Sequence, residues 1–135
     1  MCSTCSAQAF LLFFHQSSAG GKATALDWWK KSRNAWALQV EHILPQTRTK
    51  AWKAFSKKQH EQWVHDLGNL CLTWNNQSLS NKSFKSKQGT PGSGRGYANS
   101  SLHQERELAT LTDWELKALQ ARRERLITWA KQRWS

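Results

Sequence analysis

The sequence predicts an α+β chain, mostly helical, in which two short antiparallel strands and a helix make a small core surrounded by additional helices. Three observations carry this. Apolar residues recur every three or four positions through residues 49–66 and again through 116–134. Only two short runs, 37–42 and 70–74, read as strands, and turn-forming residues bound them. The length, 135 residues, leaves room for one compact domain or one domain with a frayed end.

Taken in order, residues 1–15 read as the apolar end of a helix and 17–22 (SSAGGK) as a loop. Asp27 is an N-cap for a Trp-rich helix to about Ala37. The strand at 37–42 runs into Pro45, which has no N–H to give and ends regular pairing. Trp52, Phe55, Gln59, Trp63 and Leu67 keep helical spacing, so 49–66 is predicted as one helix, broken by Gly68-Asn69. After the strand at 70–74, Asn75-Asn76 forms a turn and a second helical stretch covers about 78–87. Residues 88–101 hold four Gly and one Pro and read as a mobile loop. Thr112 is an N-cap for a last helix to about Arg133, with Leu116, Leu119, Leu126, Ala130 and Trp134 on one stripe. No internal repeat is visible. The expected division is an N-terminal helical segment over 1–35, the remnant of a larger protein, and one domain over 36–135.

The hydrophobic fraction is a modest 39%, but nine Trp and five Phe bury much area per residue and make a sizeable core possible. Twenty Lys+Arg against nine Asp+Glu give a net charge of +11, which favours polyanionic partners. From His42 to Gln104 the only acids are Glu61 and Asp66, so the middle of the chain is a basic field. Three cysteines cannot form a fully paired disulfide framework. Cys2 and Cys5 look like half a zinc site, without a second pair to complete it. The apolar run at 9–14 is too short to span a bilayer and lacks the positive charges of a signal peptide. A cytoplasmic protein with no membrane partner is expected.

The chemistry-bearing pieces are Glu41-His42-Ile43-Leu44-Pro45-Gln46, Leu67-Gly68-Asn69-Leu70-Cys71-Leu72, and the Asn- and Lys-rich run 76–87. An acid and a histidine end the first strand, and asparagines open the helix. Neighbours on a straight strand point to opposite faces, so Glu41 and His42 serve one site only where the backbone turns. His60 and His65, five apart on a helix, do not share a face and are poor joint ligands. Most Trp read as core; Trp74 is the one weighed for base stacking.

In this order, the pieces resemble the His-Asn-His nuclease superfamily with its ββα-metal core. More narrowly, they are similar to the C-terminal nuclease domain of GmrSD-type modification-dependent restriction enzymes. That family shows Glu-His-Ile-x-Pro-Gln, Leu-Gly-Asn-Leu-x-Leu, an Asn-containing turn, and Ser-Asn-Lys-x-Phe-x-x-Lys. Its closing helix is matched by Trp114, Arg122, Leu126, Ala130 and Trp134, with Leu119 in place of Ile. The resemblance covers roughly 36–135. It implies that His42 is the general base, Glu41 a metal-ligand candidate, and Asn69 the residue that braces the His loop. The last member of the triad is Asn here rather than His. Asn76 fits the turn Asn and Asn81 the helix Asn; one completes the metal site, with Asn81 preferred because early helix residues can face the strand ends.

A carboxylate and an amide oxygen are hard ligands that suit Mg²⁺ or Mn²⁺ over Zn²⁺. An imidazole works as a base near neutral pH. Lys82, Lys85, Lys87 and Arg95 are the expected contacts to the DNA backbone. The implied function is a DNA endonuclease or nickase in defence against foreign or modified DNA. The rival is a catalytically silent, basic nucleic-acid-binding module of the same fold. Relatives carry the domain behind a nucleotide-hydrolysing module, and Gly20-Gly21-Lys22-Ala23 lacks the earlier Gly and the hydroxyl of a phosphate loop. A detached C-terminal piece, with an NTPase or specificity module supplied by another chain, is therefore expected.

Overall fold

The computed structural model describes Leu11 and residues 38–134. The expected elements at 1–15, 17–22 and 27–37, and the Cys2/Cys5 pair, lie outside the described residues apart from Leu11.

Strands β1 (Gln39–His42) and β2 (Leu70–Thr73) pair antiparallel, with Val40 opposite Leu72, Glu41 opposite Cys71 and His42 opposite Leu70. Among the described residues, the helices that accompany them from residue 38 on are α1 (Lys57–Trp63), α2 (Asn76–Leu79), α3 (Phe84–Gln88), α4 (His103–Ala109) and α5 (Leu116–Trp134). The α+β class expected from the sequence is the one observed.

The two faces of β2 meet different clusters, because successive side chains alternate. Cys71 joins Ile43, Leu44, Trp52, Phe55, Tyr97, Trp114 and Leu119 in the larger core. Leu70 and Leu72 pack with Leu11, Leu38 and Leu102 on the other side. All four residues of β2 are buried.

Several boundaries differ from the sequence expectation. Residues 49–66 are not one helix: a 3₁₀ turn at Lys50–Trp52 stops, and α1 starts afresh after Ser56. Ser56 Oγ accepts from the Gln59 N–H while Gln59 Oε1 accepts from the Ser56 N–H, a reciprocal cap that starts a new helix. The stretch 78–87 is likewise two short helices. Ser80, at φ 43°, turns the chain out of α2, and the Ser83 hydroxyl caps α3. The expected loop at 88–101 contains a 3₁₀ turn at Tyr97–Asn99, and Tyr97 is fully buried. Helix α4 was not expected. Helix α5 begins at Leu116 rather than directly after Thr112, and Trp134 is 57% exposed instead of closing an apolar stripe.

Helix α5 fixes the entry to β2. The buried Arg122 guanidinium donates to the carbonyls of Leu67, Gly68 and Leu70 and to Gln104 Oε1. The approach is close: a Cβ at Gly68 would sit 2.7 Å from the Leu119 carbonyl oxygen. Only glycine leaves room for the helix there.

Candidate active site

The turn after β1 is set by Asn69, a fully buried side chain. Its Oδ1 accepts from the Leu44 N–H at 2.8 Å and from the Trp114 indole N–H at 3.1 Å. Its Nδ2 donates to the carbonyls of Leu44 at 2.9 Å and Val64 at 2.8 Å. Both acceptor sites and both donors of the amide are thus used. His60 adds a second tie, its Nε2 donating to the Pro45 carbonyl at 2.8 Å. Residues 43–45 therefore leave β1 in one direction.

At that bend Glu41 and His42 reach the same cavity. It measures about 250 Å³ and is lined by Glu41, His42, Pro45, Gln46, Asn76, Gln77, Ser80 and Asn81. Helix α2 brings Asn76, whereas Asn81 stands in the turn between α2 and α3 and not on a helix as the sequence suggested. Asn75 caps it by accepting from the Ser78 N–H, and the Asn76 N–H donates to Gln39 Oε1 on β1 at 2.9 Å. The backbone of Ser80 sits in the left-handed region at the cavity edge, a costly conformation for a residue with a Cβ.

Glu41 is buried, with Oε1 accepting from Lys87 Nζ and from the Tyr97 hydroxyl at 3.3 Å. Burial pushes its carboxyl up to about 6, and the Lys87 charge pulls against that shift. Below neutral pH it therefore begins to take up a proton, while at pH 7 the carboxylate predominates. Lys87 Nζ also donates to the carbonyls of His42 at 2.8 Å and Ile43 at 3.1 Å. The expectation that Lys87 contacts DNA is corrected by this placement. Helix α3 turns Phe84 and Lys87, three apart, into the core, and the ammonium has no access to a phosphate.

His42 is held at both ring nitrogens. Nδ1 faces Gln46 Nε2 at 3.4 Å, and Nε2 lies 3.1 Å from His65 Nδ1. Its pKa is lowered to about 4, first by burial, then by His65 and Lys87. The imidazole is thus neutral, with a lone pair available, across the physiological range.

The structure brings Glu41, His42, Asn76 and Asn81 together and leaves the other candidates elsewhere. Asn69 stays behind the cavity, where it ties Leu44 to Val64 and Trp114. Lys82 and Lys85 are exposed. Arg95, also exposed, borders a separate cavity of about 320 Å³ with Trp74 and Glu105. Three partners escaped the sequence reading: Gln46, His65 and Tyr97. Gln46 stood inside the motif, whereas Tyr97 was hidden in a glycine-rich loop.

Glu41, Asn76 and Asn81 present oxygen donors to the cavity. Glu41 has one carboxylate oxygen tied to Lys87, and the amides of Asn76 and Asn81 make no hydrogen bond to another described residue. Among the described residues no group of three or more His, Cys, Asp or Glu could hold a metal. Any ion here would depend on carboxylate, amide, water and phosphate oxygens.

A family model described as GmrSD restriction endonucleases, C-terminal domain, matches residues 11–129. The match takes in much of the segment set apart as 1–35. No curated protein and no solved structure matches the chain.

Two outcomes follow from this geometry. Lys87→Met leaves the Glu41 carboxylate buried without its partner and should cost roughly 3–5 kcal/mol in urea unfolding. Glu41→Gln combined with Lys87→Met should recover much of that loss; a double variant as unstable as the single would refute the pairing. The second outcome concerns pH. Between pH 6.5 and about 4 the unfolded chain protonates His42 and the folded chain does not, so acid lowers stability through this group. Glu41 and Glu105, raised to about 6 and about 7, act with the opposite sign, and their stabilisation is lost as pH rises. The readout is therefore the difference between parent and His42→Ala: melting temperature should fall less steeply with acid in the variant.

Proposed function

Since the chain belongs to the family of C-terminal domains of GmrSD restriction endonucleases, we propose that it is a metal-dependent DNA endonuclease or nickase with His42 as general base. The observation that carries the reading is the single cavity shared by Glu41, His42, Asn76 and Asn81. Phosphodiester hydrolysis needs a water aligned opposite the leaving oxygen and a base to take its proton. His42, neutral and fixed at the cavity wall, accepts that proton as the water oxygen bonds to phosphorus and the bond to the leaving sugar oxygen breaks. The Glu41 carboxylate and the Asn81 amide, or Asn76 in its place, would hold Mg²⁺ or Mn²⁺. Such an ion supplies charge neutralisation at the phosphoryl and leaving oxygens.

Lys82, Lys85 and Arg95 are the cations left to track the phosphate backbone, Lys87 being withdrawn into the core. Contacts of this kind give affinity without reading sequence. A role in defence against foreign or modified DNA, with an NTPase or specificity module on another chain, accords with the family. Among the described residues no helix is long and apolar enough to cross a membrane.

Plasmid nicking with Mg²⁺ or Mn²⁺ against EDTA tests the reading directly. His42→Ala should lower cleavage by roughly 10²–10⁴, the usual worth of general acid–base catalysis, with DNA affinity little changed. Cutting at the parental rate, with contaminating nuclease excluded, would end the mechanism; metal-independent binding without cleavage would favour the silent module. Lys82→Ala with Lys85→Ala should flatten the slope of log K against log salt by about 0.9 for each phosphate no longer neutralised. An unchanged slope would place the DNA on another face.

A further inference from the structure

His65 lies outside the cavity, yet among the described residues it is the side chain hydrogen-bonded to the far nitrogen of His42. The two rings meet edge to face, with centroids 5.2 Å apart and planes at 83°. Two neutral imidazoles whose nitrogens lie 3.1 Å apart must divide the roles, one donating and the other accepting. The opposite side of the His42 ring decides which. Gln46 Nε2, an amide nitrogen with protons and no lone pair to offer, faces Nδ1 at 3.4 Å. Only an unprotonated Nδ1 can accept from it. His42 then carries its proton on Nε2, and the acceptor waiting there is His65 Nδ1.

The pairing is built in rather than incidental. His65 follows Val64, whose carbonyl is held by Asn69, and the same amide holds Leu44 two residues beyond His42. His60, one turn before His65, holds the Pro45 carbonyl. Both histidine-bearing segments are referenced to the same buried points.

We propose that His65 is a positioning residue that, together with Gln46, holds His42 as the Nε2–H tautomer and keeps its Nδ1 lone pair on the Gln46 side, where Gln46 lines the cavity with it. This rests on the reading of His42 as the base. As Nδ1 takes the proton of the attacking water, the ring becomes an imidazolium whose Nε2–H already has its acceptor. The Gln46 N–H, 3.4 Å away, gives way to the water at Nδ1, while the Nε2–H side of the ring needs no rearrangement.

The test is ¹⁵N NMR of the histidine ring nitrogens in the metal-free full chain, together with plasmid cleavage, for the parent, His65→Ala and His65→Asn. Asn places Oδ1 where His65 has Nδ1 and so keeps the acceptor. The parent should show His42 protonated on Nε2, with the ring-nitrogen shifts of a single tautomer. His65→Ala should show the shifts of a tautomer mixture and cleave roughly 10–100-fold more slowly, the usual cost of losing a group that orients an imidazole. His65→Asn should restore both. A parental His42 protonated on Nδ1 would overturn the proposal, as would equal losses in the Ala and Asn variants or parental cleavage in His65→Ala. The spectra need no substrate. A parent that cuts no DNA would therefore sink the nuclease reading while the tautomer was still decided by NMR.

Discussion

The constraint on which the other parts depend is the buried amide of Asn69. Its four hydrogen bonds reach the turn after β1, the end of α1 and the indole just ahead of α5. Each would cost about 1–3 kcal/mol if its partner were removed and a buried polar group left unmade. Two four-residue strands are too short to hold a register on ladder hydrogen bonds alone. Polar side chains supply the precision instead. Arg122 does for the carbonyls of residues 67, 68 and 70 what Asn69 does for the facing turn. Glycine at 68 permits this by letting the helix come within contact of the backbone.

A second constraint acts on the strand end itself. The Glu41–Lys87 pair is buried on both sides, an arrangement that seldom adds net stability over apolar packing. What it adds here is placement. The ammonium ties Glu41 to the carbonyls of His42 and Ile43, so the acid, the histidine and the bend move as one unit. With Oε1 committed, the carboxylate can offer the cavity a single oxygen in a fixed orientation. Tyr97 approaches the same oxygen from a loop whose ends come so close that a side chain on Gly89 would strike the Arg95 carbonyl and one on Gly96 the backbone of Gln88 and Gly89.

How much of this was legible depends on the kind of signal. The strands could be read because turn residues bound them, and the Glu41-His42-x-x-Pro45 order pointed to a bend that makes both residues face one cavity. The helix breaks could not be read from apolar spacing, because the caps at Ser56 and Ser83 fall inside runs that keep that spacing. Lys87 was misread for a related reason. A lysine in a basic, Lys-rich run looks like a surface charge, and only its three-residue spacing from Phe84 places it inward. His60 and His65 were read as lying on one helix, but α1 ends at Trp63 and leaves His65 in the turn beyond it, and each histidine has its own target on the His42 segment. A partner 23 residues away leaves no periodic trace.

Helix α3 and the turn before it show why charge alone does not assign a role in a chain of net charge +11. Lys82 and Lys85 stand in solvent, where attraction to a polyanion is long-ranged and weakened by salt. Lys87, two residues beyond Lys85, is the only buried lysine among the described residues, and its charge is spent on one carboxylate and two carbonyls. The outer lysines can change with little consequence for the fold. The inner one cannot be replaced without leaving an acid stranded beside His42. Within this short stretch the side to which each ammonium is turned decides whether it stands in solvent or holds the strand end.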